Sequence, residues 1–171
     1  MKKVLGICGS PRKGNTEFMI KTILDAAEKN GAKTELVLLR NLNIKHCNGC
    51  GKCEKTKRCV INDDMQKLYP KIFDSDIFVF GSPSYFDNVS GLMKDFIDRF
   101  DPIWQDKRLA EKEAILVASG AVTSEEVIKI LKTFCDICKI KVVEKISING
   151  SASKNKELIK KLEEIGKKIS K

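Results

Sequence analysis

Four cysteines lie within thirteen residues of this chain, and their spacing, CxxCxxCx5C, is typical of a metal-ligating segment. They are Cys47, Cys50, Cys53 and Cys59. Three thiols at strict intervals of three residues are typical of iron–sulfur cluster ligation. Chains with paired clusters carry such a run twice, whereas this run occurs once, so we expect Cys59 to complete its own site. The spacing therefore predicts a [4Fe-4S] cluster held by these four cysteines.

Two other interpretations of the cysteines remain open. Four thiolates also suit Zn²⁺, although structural zinc sites usually present two CxxC pairs separated by a dozen or more residues. Free or disulfide-bonded thiols are the third interpretation, and a reducing compartment disfavours the disulfides. Cations surround the cysteines, namely Lys45, Lys52, Lys55, Lys57 and Arg58. They would raise the potential of a cluster and attract an acidic electron carrier, or they form an ordinary solvated loop.

A second segment whose residues could bind a ligand is Gly9–Thr16, which separates the first predicted strand from the first predicted helix. It matches neither GxGxxG nor GxxxxGK[ST], which argues against a dinucleotide or a nucleoside triphosphate as ligand. Hydroxyls, an amide and free backbone N–H groups at a helix N-terminus do stabilise a phosphate monoester. An ordinary Gly- and Pro-rich turn is the alternative. The residues predicted to bind phosphate are Ser10, Arg12, Asn15 and Thr16.

Two further loops are predicted to hold an aromatic ring next to this phosphate. Each follows a buried strand, and in a parallel sheet such loops meet at the carboxyl edge, where ligands bind. In the third loop, Tyr85 and Phe86 are suited to flank the ring of an isoalloxazine, and backbone amides are suited to bond its polar edge. In the fourth loop, small residues leave room for the ring. The predicted contacts are Pro83, Ser84, Tyr85, Phe86, Asn88, Ser119 and Gly120.

Apolar runs and helical periodicities alternate along the whole chain. The predicted strands are residues 4–8, 36–39, 77–80, 114–118 and 142–148, with an amphipathic helix after each. Alternation of this kind implies right-handed crossovers and a parallel sheet covered on both faces. We therefore predict an α/β fold, a flavodoxin-like doubly wound five-stranded sheet of order 2-1-3-4-5. Residues 1–171 form a single domain in this prediction, with the cysteine-rich loop 45–61 inserted after strand 2.

Local signals refine the element boundaries. Gly31 is expected to end the first helix, and Ser90 to begin the one after strand 3. Asp63 or Asp64 is expected to cap the helix that contains Pro70, and the proline should kink or divide it. Thr123 and Glu126 match a capping box. Cys135 and Cys138 continue an apolar helical stripe, and Cys8 ends a buried strand, so these three thiols are predicted to be structural.

Composition limits the classes of partner. The chain has 171 residues and a net charge of +9, from 32 Lys and Arg against 23 Asp and Glu. The lysines are scattered among acidic residues on predicted helix faces, which indicates solvated surface rather than a nucleic-acid site. No apolar run is long enough to span a bilayer, and the N-terminal apolar stretch is too short for a signal peptide. We therefore expect a cytoplasmic protein that binds neither nucleic acid nor membrane.

Three segments together resemble a known family. Gly9–Thr16, Gly81–Tyr85 and Met93–Arg99 are similar to motifs of the NADPH-dependent FMN reductase superfamily of flavodoxin-like proteins. With the four cysteines included, the chain resembles the archaeal iron–sulfur flavoprotein branch of that superfamily, over nearly its whole length. The resemblance implies an FMN-dependent oxidoreductase or electron-transfer flavoprotein that contains FMN and a [4Fe-4S] cluster. It also implies a homodimer or homotetramer that accepts electrons from ferredoxin.

These observations favour a protein that transfers electrons between a one-electron donor such as ferredoxin and an acceptor, which is a small molecule or another protein. The chain has a single histidine, His46, and no catalytic side chain is predicted, because the flavin carries out the electron transfer itself. Two alternatives stay open. One is an NAD(P)H-dependent FMN or quinone reductase without a cluster, and the other is a zinc-stabilised, non-enzymatic binding module.

The order of the strands adds an expectation about assembly. The cysteine loop follows strand 2, which lies on the far side of strand 1 from loops three and four. Cluster and flavin ring would then be poorly placed for transfer within one subunit. We therefore expect the cluster to serve the flavin of a neighbouring subunit. The candidate interface residues are Phe86, Ile103 and Trp104.

Overall fold

A five-stranded parallel sheet forms the centre of the computed structural model, which describes residues 1–171. The strand order is β2-β1-β3-β4-β5, as predicted. The strands are β1 (Lys3–Cys8), β2 (Lys33–Leu38), β3 (Ile77–Pro83), β4 (Glu113–Gly120) and β5 (Lys141–Asn149). The predicted flavodoxin-like fold is therefore confirmed.

Helices connect the strands and cover both faces of the sheet. Short 3-10 turns span Leu39–Asn41 and Lys107–Glu111. The helices are α1 (Asn15–Lys29), α2 (Lys52–Thr56), α3 (Met65–Asp74), α4 (Gly91–Asp98), α5 (Glu125–Ile137) and α6 (Lys156–Ile169). Helix α2 lies inside the cysteine loop, so this loop contains a short regular element that the sequence pattern did not reveal.

Two hydrophobic cores result, one on each face of the sheet, because successive side chains of a strand point to opposite faces. In β1, Leu5 and Ile7 join the core under α3, α4 and α5. Val4 and Cys8 join the core under α1 and α6. The first core contains a group of aromatic rings that pack in stacked, tilted and edge-to-face pairs. They belong to Phe78, Phe80, Phe96, Phe100 and Phe134. This aromatic packing makes the face that carries α4 a firm support for the loops around it.

Strand boundaries differ from the prediction in a systematic way. Strand β2 begins at Lys33, earlier than expected, because it is an edge strand whose alternate residues are exposed and therefore polar. Strands β3 and β4 continue to Pro83 and Gly120, since their ladder pairs Pro83 with Ser119 beyond the apolar runs. Three of the predicted flavin contacts are thus strand residues rather than loop residues.

Two helix signals were overridden by tertiary contacts. Helix α3 is not divided at Pro70, because the side chains of Met65, Leu68 and Ile72 are buried in the core. Burying each of them contributes about 1.5–3 kcal/mol, which together exceeds the roughly 3 kcal/mol that an internal proline costs.

The predicted capping box before α5 is wrong. Thr123 instead donates a hydrogen bond to Asp87, and Ser124 occupies the N-cap position without a capping bond from its side chain. The carboxylate of a neighbouring loop therefore outcompetes the local cap. The cap at Ser90 is confirmed, because its hydroxyl accepts a hydrogen bond from the Met93 N–H at 3.2 Å. Gly31 follows the last turn of α1 with a φ of +92°, as expected of a residue that ends a helix.

Candidate functional site

The ends of β1, β3 and β4 meet at the carboxyl edge of the sheet, where direct hydrogen bonds connect them. The Gly9 N–H donates to the Gly81 carbonyl at 2.8 Å, and the Ser84 N–H donates to the Ser119 carbonyl at 2.7 Å. The hydroxyls of Thr16 and Ser119 lie 2.8 Å apart and are buried. The structure thus brings the predicted phosphate loop and the predicted ring loops together as one site.

The N-terminus of α1 is free to bind an anion. Gly14 occupies its N-cap position, and no side chain caps the helix. The N–H groups of Asn15, Thr16 and Glu17 have no acceptor within the protein. Arg12 is exposed, and a Cβ added at Gly14 would meet no atom within 4 Å, so this end of the helix is open. Unpaired amides and an exposed guanidinium fit a phosphate group.

Side chains in the phosphate loop have partners of their own in this structure. Ser10 is buried, and its hydroxyl donates to the Arg12 carbonyl at 2.7 Å. The Asn15 amide donates to the Gly150 carbonyl at 2.6 Å and accepts from the Ala152 N–H at 3.1 Å. Backbone amides rather than these side chains are therefore the open donors, and the role of Ser10, Asn15 and Thr16 in binding stays a prediction.

Asn15 also reveals a part of the site that sequence reasoning missed, the loop at residues 150–155 after β5. Its backbone is tied to the start of α1 through the two Asn15 bonds, and Gly150 has a φ of +99° that favours glycine. The signal was present in the sequence. Every loop that follows a parallel strand lies at the carboxyl edge, and a glycine there is typical of a tight turn.

The third loop forms a tight hairpin at the rim of the site. Tyr85 and Asn88 exchange backbone hydrogen bonds of 2.9 and 3.1 Å, so Phe86 and Asp87 are the two central residues of the turn. Both have positive φ values, 50° and 55°, as a type I′ turn requires. The Phe86 ring is fully exposed and Tyr85 is partly exposed. Two accessible rings and the unpaired amides of Phe86 and Asp87 fit the planar, polar-edged ring of a flavin.

Gly120 has a structural role besides the predicted contact with the flavin ring. A Cβ added to it would lie 1.9 Å from the Thr123 carbonyl oxygen, which is far inside van der Waals contact. The chain's own turn between β4 and α5 therefore requires glycine here, whether or not a ring approaches. Pro83, Ser84 and Ser119 form the ladder beside it, at the base of the proposed ring site.

The four cysteines of the 45–61 loop line a single cavity. The other walls of this cavity include Asp98, Arg99 and Asp101. Gly49 and Gly51, with φ values of +64° and +65°, make the turns between Cys47, Cys50 and Cys53. An L side chain is strained in this conformation, so glycine is favoured at both turns. The predicted ligand set is brought together by the fold.

The four thiols do not form a single-ion site in this structure. A tetrahedral zinc site has Zn–S bonds of about 2.3 Å, which places its sulfurs roughly 4 Å apart. Within residues 1–171, no group of three or more Cys, His, Asp or Glu side chains is close enough to hold one metal ion. Four cysteines at one cavity are a donor set that suits an iron–sulfur cluster and also Zn²⁺, so the cluster stays a prediction.

Cys53 is the most buried of the four, and its thiol donates a hydrogen bond to the Asp101 carboxylate at 2.8 Å. Burial, reinforced by this hydrogen bond, raises the pKa of Cys53 to about 11. The thiol is therefore protonated at neutral pH while no cation is present. Ligation requires the thiolate, so binding of a metal group would release this proton and free Asp101.

The cysteine loop is held against helix α4. The loop leaves the β2 edge of the sheet and packs against the end of α4, where Asp98 and Arg99 contribute to the cavity. His46 anchors it further by pairing with Asp95 of α4. Helix α4 begins beside the carboxyl edge of the sheet, because its cap Ser90 donates to the Gly9 carbonyl. Its eight residues span about 12 Å along the helix axis, and transfer from the cluster to the flavin of a neighbouring subunit stays a prediction.

The remaining cysteines are structural, as predicted. Cys8, Cys135 and Cys138 are buried and unpaired. Burial raises the pKa of Cys135 and raises that of Cys138 to about 12, which keeps both thiols protonated and unreactive.

Of the candidate interface residues, Phe86 and Trp104 are exposed, whereas Ile103 is buried in the core of its own subunit and is not available for an interface. No helix is long and apolar enough to cross a membrane.

This chain is similar to known proteins over most of its length. A family model described as NADPH-dependent FMN reductase matches residues 2–155. An iron–sulfur flavoprotein of Methanocaldococcus jannaschii is 37% identical over 120 residues, which are 70% of this chain and 62% of that protein. An iron–sulfur flavoprotein of Archaeoglobus fulgidus is 39% identical over 128 residues, 73% of this chain and 58% of that one. The matches thus span about three-fifths of the length of these relatives.

A solved structure of a flavone reductase has a TM-score of 0.77 to this chain at 24% identity, and the match covers 98% of this chain and 62% of that one. At this level of identity the likeness concerns the fold. It agrees with the sheet order and with the loops that the carboxyl edge brings together.

Proposed function

This chain belongs to the NADPH-dependent FMN reductase family, and we propose that it is an iron–sulfur flavoprotein that transfers electrons between a one-electron donor and an acceptor. The proposed cofactors are FMN at the carboxyl edge of the sheet and a [4Fe-4S] cluster in the cysteine loop. When bound, FMN exchanges one or two electrons and the cluster exchanges one, so the pair couples one-electron to two-electron chemistry.

The observation that carries this proposal is the shared cavity of Cys47, Cys50, Cys53 and Cys59. These residues would ligate the cluster, and the walls formed by the end of α4 would exclude water from one side of it. The end of α4 forms part of the cavity wall, and Ser90 at its start bonds the carboxyl edge of the sheet.

At the flavin edge, the chain's own groups would bind and orient the cofactor. The free amides at the start of α1 and Arg12 would hold the phosphate, and the hairpin of Tyr85 and Phe86 would contact the ring. The hydrogen bond between Thr16 and Ser119 would keep the phosphate end and the ring end at a constant distance. No side chain of this edge is required to transfer a proton for one-electron exchange.

An acidic one-electron carrier, such as a ferredoxin, is the proposed donor. A cleft next to Cys59 is lined by Lys57, Arg58, Lys107 and Arg108. Its single acid, Asp106, is already paired with Arg108 at 2.7 Å. The cleft therefore presents a positive surface beside one cluster ligand, which suits electrostatic steering of an acidic partner. The acceptor in this proposal is a small molecule or a second protein that reaches the flavin.

We also propose that the protein works as a homodimer or homotetramer, in the cytoplasm, with the cluster of one copy serving the flavin of another. The exposed Phe86 and Trp104 supply apolar contact area for such an interface. The cysteine loop follows β2, which lies on the far side of β1 from the loops that would hold the flavin ring, and this placement supports transfer between subunits.

Anaerobic purification followed by assays of iron, acid-labile sulfide and FMN tests the proposal. We expect four iron and four sulfide per chain, about one FMN and a brown colour. Cys50→Ser should lose most of the iron, while the matched control Cys138→Ser, which removes a buried thiol outside the cavity, should retain it.

The alternatives give different results in the same assay. Oxygen-free protein with stoichiometric FMN and no iron would be a plain flavin reductase, and colourless protein with one zinc per chain would be a binding module. Either result would overturn the cluster.

A further inference from the structure

A buried ion pair stands at the base of the cysteine loop. Arg99 and Asp63 are both almost completely inaccessible, with side-chain exposures of 0% and 1%. Arg99 Nη1 lies 2.6 Å from Asp63 Oδ2, and Nη2 lies 3.1 Å from Asp63 Oδ1, so the pair is bidentate. Removing charges this completely from water is costly unless further hydrogen bonds compensate, and the pair makes several.

The pair binds the backbone at both ends of the cysteine loop. At the first end, the Lys45 carbonyl accepts from Arg99 Nη1 at 2.8 Å, and the Lys45 N–H donates to Asp63 at 2.9 Å. At the second end, the Ile61 carbonyl lies 3.5 Å from Arg99 Nη2. Tyr69 steadies this arrangement by donating to the Arg99 carbonyl at 2.7 Å. Two side chains therefore close a loop of seventeen residues, 45–61, without any metal.

One nitrogen of Arg99 is left over. Its Nε is buried and has no hydrogen-bond partner within the protein. Arg99 also lines the cavity that the four cysteines surround. An unpartnered buried N–H is costly, and the cost is relieved when an acceptor occupies the adjacent space. Sulfurs of an iron–sulfur cluster accept such bonds, and hydrogen bonds to sulfur together with nearby charge set the potential of the cluster.

We propose that Arg99 and Asp63 are positioning residues for the cluster: together they close the cysteine loop before the cluster binds, and the Arg99 Nε–H donates a hydrogen bond to a cluster sulfur. The inference rests on the proposed function. It gives two residues that are not cluster ligands two tasks, which are to preorganise the loop and to help set the reduction potential of the cluster. In the intact pair the opposite charges nearly cancel at the cluster.

Opposite effects of the two partners distinguish this role from a purely structural one. Arg99→Gln leaves a negative charge beside the cluster and removes the Nε–H, so the potential should fall. Asp63→Asn leaves an uncompensated positive charge, so the potential should rise. The double variant Arg99→Gln/Asp63→Asn is the matched control, because it removes both charges and should lie between the single variants. If the pair only closed the loop, both single variants would shift the potential of the cluster in the same direction.

Two measurements are made on each variant. The midpoint potential of the loaded protein is measured by anaerobic redox titration, and iron and sulfide contents are measured alongside. Hydrogen exchange of the 45–61 amides is measured on the metal-free chain, where both single variants should exchange at least about tenfold faster than wild type, the equivalent of roughly 1.4 kcal/mol.

The outcomes separate the inference from the proposed function. Potentials that shift in opposite directions, with faster exchange in both single variants, support the positioning role. Potentials that shift in the same direction, or unchanged exchange, overturn it. A wild-type protein that contains no iron overturns the proposed function and with it the N–H donation to sulfur, while the exchange data still decide whether the pair closes the loop.

Discussion

The hydroxyls of Thr16 and Ser119 lie 2.8 Å apart in the interior, and this contact joins the first turn of α1 to the end of β4. The two residues are more than a hundred positions apart in the chain. Thr16 follows the open helix end that is suited to phosphate, and Ser119 lies in the ladder at the base of the ring site. One hydrogen bond therefore sets the distance between the two halves of the proposed flavin site.

Thr16→Val should weaken FMN binding. Valine has nearly the same shape but leaves the buried Ser119 hydroxyl without its partner, at a cost of about 1–3 kcal/mol. We expect the Kd for FMN, measured by quenching of flavin fluorescence, to rise roughly tenfold. Thr16→Ser keeps the hydroxyl and is the conservative control. Equal affinities of the valine and serine variants would show that the hydrogen bond does not position the site.

Phe86→Asn should stabilise the flavin-free protein and weaken flavin binding at the same time. Phe86 has a φ of 50°, a left-handed conformation that costs a bulky residue about 1–2 kcal/mol, and asparagine tolerates it far better. Removing the exposed ring should also remove a contact with the flavin.

Chemical denaturation and FMN titration of the same variant check both directions. If Phe86→Asn leaves FMN affinity at the wild-type value, then Phe86 does not contact the flavin. Its exposure would then require another explanation.

Thiol labelling should divide the seven cysteines by position. In the metal-free native protein, Cys47 and Cys50 are exposed and should react with a maleimide within minutes. The buried structural thiols, Cys8, Cys135 and Cys138, should react only after unfolding, because burial raises their pKa and blocks access. Mass spectrometry of labelled peptides gives the order. Rapid labelling of Cys138 in folded protein would contradict the arrangement of α5.

The Asp63–Arg99 pair should stabilise the protein down to about pH 4. Burial alone would raise the pKa of Asp63, but the hydrogen bonds from Arg99 and the Lys45 N–H outweigh it and lower the pKa. A lowered pKa means that the folded state binds fewer protons than the unfolded state near the ordinary pKa of about 3.9. The stabilisation is therefore complete above that value and is lost as the pH falls through the folded pKa.

Denaturant unfolding of wild type and Asp63→Asn between pH 3 and pH 7 measures this contribution. The difference in free energy of unfolding should be constant above about pH 5 and should shrink below about pH 4. A difference that shrinks on going from pH 5 to pH 7 would have the wrong sign for a carboxylate stabilised by Arg99.

Charge reversal in the basic cleft should slow reduction by an acidic donor. Lys57→Glu removes a positive charge beside Cys59, so reduction by an acidic ferredoxin should slow several-fold at low salt, and the effect should fade as ionic strength rises. Lys160→Glu, on the far face in α6, is the matched control with the same change in net charge. Equal slowing of both variants would indicate an effect of net charge alone rather than docking at the cleft.

Much of this architecture was readable from local patterns. Strands such as β3 and β4 are apolar runs, and the alternation of strands with helices is enough to predict a parallel sheet of order 2-1-3-4-5. The grouping of the four cysteines at one cavity was readable too, because cysteines at short fixed intervals are uncommon outside metal sites. These features depend on residues that are close together in the chain, and the spacing between such residues determines which face of a helix or strand they occupy.

Contacts between distant segments were not readable in the same way. No pattern indicated that Thr123 would bond Asp87 rather than cap α5, that Asn15 would hold the loop after β5, or that Gly120 is required by the Thr123 carbonyl. Each of these contacts joins residues from different loops, or depends on the exact path of a turn. Whether such a contact forms depends on burial, which a single sequence does not display.

The amino-acid sequence by itself determined the order of elements, the loops at the carboxyl edge and the four thiols, since each follows from periodicity or spacing within a short segment. Only the tertiary structure decided that the cysteine loop leaves the β2 edge to pack on α4, and that Arg99 and Asp63 close its two ends. The physical reason is that a buried charge needs a partner, and the fold alone brings residues 45, 61, 63 and 99 to one place.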